Sequence, residues 1–110
     1  MNKNDMSVLQ GGNLPLTVER LDPAAISATL ILKIQGSDTV LSKSSSYDGN
    51  GVADVSLNGD DTAVPGVYDY QINENFSTGD PDKYPNPDKC SGEFSFPTIT
   101  IYESLDGVEN

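Results

Sequence analysis

The sequence predicts an all-β domain, a sandwich or barrel of about seven short strands. Three observations predict it. Apolar residues alternate with polar ones in several separate runs, the period of a strand with one buried face. Turn residues (Gly, Asn, Asp, Pro) punctuate those runs at regular spacing. No stretch carries the 3.6-residue period of an amphipathic helix.

The elements follow in chain order. Residues 1–13 read as a polar N-terminal arm, set off by Gly11-Gly12. Leu14–Val18 is short and apolar, and Pro15, which lacks a ladder donor, suits an edge strand or a strand start. Asp22-Pro23-Ala24-Ala25 has room for one capped helical turn only. Ile26–Gln35 is the strongest strand signal, with Ile26, Ala28, Leu30, Leu32 and Ile34 on one face. Gly36-Ser37-Asp38 reads as a turn and Thr39–Lys43 as the returning strand. Ser44–Gly51 is polar and glycine-bearing, so a loop is expected there. Ala53, Val55 and Leu57 alternate with Asp54 and Ser56 as a third core strand, and Asn58–Asp61 is a turn. Gly66–Phe76 places Tyr68, Tyr70, Ile72 and Phe76 on one face. Residues 77–93 form a long loop rich in Gly, Pro and Asp. Phe94–Glu103 is the last strand, bulged or on an edge because Pro97 breaks its ladder. The expected domain spans 14–104, with a polar tail at 105–110.

The totals narrow the function. The 110 residues suit one domain with a single core. With 35% hydrophobic residues and no Trp, that core is built from Val, Leu, Ile, Tyr and Phe. A net charge of −11 disfavours nucleic acid, whose binding requires cations to replace phosphate counterions. It disfavours anionic lipid surfaces equally. The charge serves solubility, or a basic or metal-ion partner. The single Cys90 makes no internal disulfide. The opening MNKNDMSVLQGG has no apolar run of signal-peptide length, and no window reaches a membrane span. Synthesis and folding in the cytosol are therefore expected, and the acceptor pattern Asn75-Phe76-Ser77 is expected to be unused.

Asp61-Thr62-Ala63-Val64-Pro65-Gly66-Val67-Tyr68-Asp69-Tyr70 is the most specific stretch. In immunoglobulin-like sandwiches an Asp-bearing turn leads into a Gly-x-Tyr strand, and the Tyr hydroxyl bonds back to the turn. Gly66 and Tyr68 fall on that pattern. Tyr70 stands where antibody domains carry their second core Cys, so the disulfide-bonded variety is ruled out. The region from about Leu16 to Glu103 resembles small immunoglobulin-like β-sandwich proteins of tailed bacteriophages, carried here by ATLILKIQ, DGNGVADVSL, DDTAVPG and VYDYQI. The resemblance implies a virion protein: a capsid decoration, a head-fibre piece or a tail or baseplate accessory. Its implied partners are other virion proteins (major capsid, tail or baseplate proteins) in a symmetric multi-copy assembly, without nucleic acid or membrane.

Candidate sites follow from the residues. Asp48, Asn50 and Asp54 offer oxygens at a calcium-loop spacing, but an EF-hand fails at Val52, Ala53 and Gly59. A hairpin turn accounts for the same Gly and Asn residues; a surface calcium site is the alternative. Asp80, Asp82 and Tyr84 make the 77–93 loop a candidate binding tip, with a proline-held connector as the plainer reading. Val8 and Leu9 are the apolar pair of the arm, suited to clasping a neighbouring subunit. Cys90 has no His to activate it, and one Cys without His makes no zinc site. The absence of His also removes the commonest general base, and no phosphate-binding glycine loop is present. No enzyme activity and no cofactor are expected. The alternative function is a stand-alone recognition module for a carbohydrate or host surface, with calcium assisting.

Overall fold

The computed structural model describes residues 5–84 and 96–103. Every regular element in it is a strand: β1 (Met6–Leu9), β2 (Thr17–Glu19), β3 (Ser27–Ile34), β4 (Val40–Ser46), β5 (Val52–Asp54), β6 (Gly66–Asn75), β7 (Asp82–Tyr84) and β8 (Thr98–Tyr102). The larger sheet runs β1-β8-β6-β3-β4, with β7 also on β6, and β2 pairs with β5 in a second sheet. All pairs are antiparallel except β1 with β8. A bridge between Leu14 and Leu57 extends the small sheet.

The period of two decides which residues are inside. Leu30 and Leu32 of β3, Tyr68 and Tyr70 of β6, and Ile99 and Ile101 of β8 face Val55 and Leu57 across one core. Leu14, Leu16 and Val18 close it from the small sheet. Two layers enclosing one apolar interior make a sandwich-like all-β fold. The outer face of the large sheet is polar and bonded across strands: Thr29 and Ser44 hydroxyls lie 2.8 Å apart, and Asn75 Nδ2 donates to Ser27 Oγ and Thr29 Oγ1, both at 3.0 Å.

Several elements differ from the sequence expectation. Met6–Leu9, expected within an arm, adds a parallel edge strand to β8, and Met6 and Val8 pack on the core. β4 runs to Ser46 rather than Lys43, because its serines find hydroxyl and backbone partners on β3. β7 forms inside the stretch expected to be loop. Ile26, expected on the core face, is 52% exposed, since it lies at the very end of the sheet, one residue before β3. Asp22 closes one turn, accepting Ala25 N at its carbonyl and Ala24 N at its carboxylate, both at 2.9 Å. β8 begins after Pro97, whose carbonyl still accepts Tyr70 N at 3.0 Å. Cys90, Phe94, the tail 105–110 and most of the distal part of the 77–93 loop lie outside the described residues.

Candidate functional site

Strand direction brings three connections to one end: β2–β3 (residues 20–26), β4–β5 (47–51) and the turn after β6 that leads into β7. Glu74 joins them. It sits on the inward face of β6 in step with Tyr68, Tyr70 and Ile72, and it is fully buried. Its carboxylate accepts Leu21 N at 2.7 Å, Asp22 N at 3.2 Å and the Tyr47 hydroxyl at 2.6 Å. A buried carboxylate is tolerated where donors replace its water, and here two backbone amides and a phenol do so.

Backbone bonds tighten the same end. Ile26 N donates to Asn75 O at 2.8 Å, Tyr47 N to Ile26 O at 3.1 Å, and Arg20 N to Gly51 O at 2.8 Å. The Arg20 guanidinium lies 5.9 Å from the Tyr47 ring centre, within cation–π range. Gly51 has φ of 78°, a conformation costly for side-chain-bearing residues. Burial, then the hydrogen bond to Glu74 and the negative charge of Glu74, push the Tyr47 phenol well above its ordinary pKa. Tyr84 is pushed up as well, by burial first and then by Glu74, Asp82 and Asp22. The register that sets Asp82 opposite Glu74 and Tyr84 opposite Ile72 brings β7 to the same end of β6.

Of the residues considered for calcium, Asp48 and Asp54 each turn one carboxylate oxygen to local donors. Asp48 Oδ1 accepts Asn50 N at 2.8 Å and Val52 N at 3.0 Å. Asp54 Oδ1 accepts Ser56 N at 3.0 Å and Ser56 Oγ at 2.6 Å, and those bonds hold its carboxyl below the usual range. Among the described residues no group of three His, Cys, Asp or Glu side chains is placed to share a metal ion. The arm residues part company: Val8 faces the core, while Leu9 is 57% exposed beside its register partner Tyr102. Asp80 is exposed near the tip between β6 and β7.

The opposite end carries the turn that leads into β6. Tyr68 Oη donates to Val64 O at 2.8 Å, four residues upstream. Gly66 has φ of 152°, and a Cβ there would meet Ile34 Cδ1 at 2.7 Å. An open depression of about 420 Å³ lies beside the β3–β4 turn. Its polar groups engage one another: Gln35 Nε2 donates to Asp69 at 2.9 Å, and Lys33 lies 3.9 Å from Asp38. Among the described residues no helix is long and apolar enough to cross a membrane.

Glu74 escaped the sequence reading because its type argues for solvent. The signal that finds it is parity, since it falls two residues after Ile72 and two before Phe76 on the core face. No protein-family model, curated protein or solved structure matches the chain.

Proposed function

We propose that the chain is an immunoglobulin-like, non-enzymatic structural domain of a tailed-phage virion, which binds other virion proteins through its Glu74 end. Strand order supports the immunoglobulin-like part. β8, β6, β3 and β4 follow the order G-F-C-C′, and β2 and β5 stand as B and E of the facing sheet. The bond from Tyr68 to Val64 lies at the start of the strand that corresponds to F, where such folds carry their tyrosine corner. On this correspondence, the connections at the Glu74 end are B–C, the one leaving C′, and F–G, the set that variable domains use for recognition.

One observation carries the binding role: a single buried carboxylate ties two loops to β6, so the surface they make is ordered before any partner arrives. The virion setting rests on the resemblance of ATLILKIQ, DGNGVADVSL, DDTAVPG and VYDYQI, and takes in both capsid-decoration and tail or baseplate positions. Its test is quantitative mass spectrometry of purified particles. Copies on the order of hundreds indicate capsid decoration, and roughly three to a dozen a tail or baseplate ring. Absence from the particle overturns the virion setting and leaves the recognition module for a carbohydrate or host surface.

A further inference from the structure

The Glu74 end exposes apolar side chains on a backbone that is already held. Leu21 is 66% exposed and Ile26 52% exposed. Both belong to the β2–β3 connection, which is fixed at Leu21 N by Glu74 and at Ile26 by bonds to Asn75 and Tyr47. Large aliphatic side chains left in water on an ordered loop need no further backbone ordering when a partner covers them, and lose only their own rotamer freedom.

Their surroundings are acidic. Asp22 is on the same connection, Asp48 opens the neighbouring one, and Asp80 and Asp82 flank the start of β7. Among the described residues Arg20 and Lys83 are the cations nearby, and Arg20 is drawn over the Tyr47 ring. A second copy of a chain of net charge −11 would bring like charge against like. An anionic lipid surface or nucleic acid would do the same. Charge complementarity leaves a cationic protein surface.

We propose that Leu21 and Ile26 dock on a basic protein surface, as apolar contacts inside a rim formed by Asp22, Asp48, Asp80 and Asp82. This rests on the Glu74 end being the binding end, and adds the chemistry of the partner. The surface it fits has an apolar recess or ridge bordered by lysine or arginine.

The probe is a synthetic peptide of leucine and lysine, titrated at low salt into the full chain and followed by amide NMR shifts. Shifts are expected to centre on residues 20–26 and 47–51. The double variant L21S/I26S should bind about tenfold more weakly or worse. The variant D22N/D82N should weaken binding similarly and flatten its salt dependence. Both pairs are surface changes, so their melting temperatures should stay close to that of the parent chain. Shifts centred on Leu9 and Tyr102, no binding, or binding that L21S/I26S leaves unchanged would each overturn the proposal.

Carbodiimide coupling in purified particles separates this from the virion setting. Coupling of Asp22, Asp80 or Asp82 to lysines of a neighbouring protein supports both. A chain present in the particle but coupled through other carboxylates overturns the docking surface alone. A chain absent from the particle, with the peptide result intact, overturns the virion setting alone.

Discussion

At the corner end of the molecule each turn satisfies itself several times over. Asn58 Oδ1 accepts Asp60 N at 2.9 Å and Asp61 N at 3.1 Å, while Asp61 Oδ2 accepts Asn58 N at 2.9 Å and Lys43 Nζ at 3.0 Å. Thr62 Oγ1 donates to Gly12 O at 2.8 Å, and Tyr68 Oη closes the corner on Val64. At the opposite end one side chain, Glu74, takes three donors from two different connections. The first arrangement spreads the work over many bonds, most of them between residues two to four apart, with Lys43 and Gly12 reaching in from elsewhere in the chain. The second concentrates it in one buried charge reached from residues 21, 22 and 47. A distributed end tolerates single losses, while a concentrated end is ordered as a unit and loosens as a unit.

The comparison breaks most visibly at Glu74. Glu74→Ala leaves two amides and a phenol without their acceptor in a buried site, and should cost about 3 kcal/mol or more in chemical denaturation. Glu74→Gln keeps the shape and one acceptor oxygen and should cost roughly half of that. Hydrogen exchange should rise at Leu21 and Asp22 in both variants and stay unchanged at Asp61 and Thr62. Equal loosening at the two ends would show that Glu74 supports the whole domain and not one end.

A smaller effect is expected at the corner. Tyr68→Phe removes one neutral hydrogen bond while the buried ring remains, so the loss should be about 1 kcal/mol in the same denaturation measurement. A cost as large as that of Glu74→Ala would erase the distinction between the ends.

The smallest effect belongs to Asp61. Burial pushes its carboxyl up, but the bonds from Asn58 N and Lys43 outweigh this and hold it below its ordinary value. A carboxyl whose folded value is depressed stabilises the fold above its unfolded value and loses that contribution as pH falls through the folded value. The difference in stability between the parent chain and Asp61→Asn should therefore be roughly 0.5 kcal/mol at neutral pH. It should shrink progressively below about pH 4. A difference independent of pH would remove the Lys43–Asp61 pair from the account.

Much of the fold was legible because strands announce themselves locally. The alternation in ISATLILKIQ, ADVSL and VYDYQI names Leu30, Leu32, Val55, Leu57, Tyr68 and Tyr70 as interior, and each is buried. β1 was not legible, since Met6-Ser7-Val8-Leu9 is too short to show a period and its partner β8 lies about ninety residues further on. Ser44, Ser45 and Ser46 read as loop because what holds them in the strand is pairing with the distant β3 and, for Ser44, the Thr29 hydroxyl. The candidate residues divided for the same reason. Asp48 and Asp54 are spent on turns that their own neighbours build, whereas Asp82 and Tyr84 join the Glu74 end only through the β6–β7 pairing.

The sequence by itself determined the all-β class, the interior faces of the long strands and the acidic, His-free surface. These depend on side-chain order and charge, and both are properties of the chain before it folds. The tertiary structure alone decided which connections meet at one end, that a glutamate is the group that joins them, and which aliphatic side chains are left in water there. Those outcomes depend on strand direction and long-range register, which bring residues 21, 47 and 74 together across spans that no local pattern encodes.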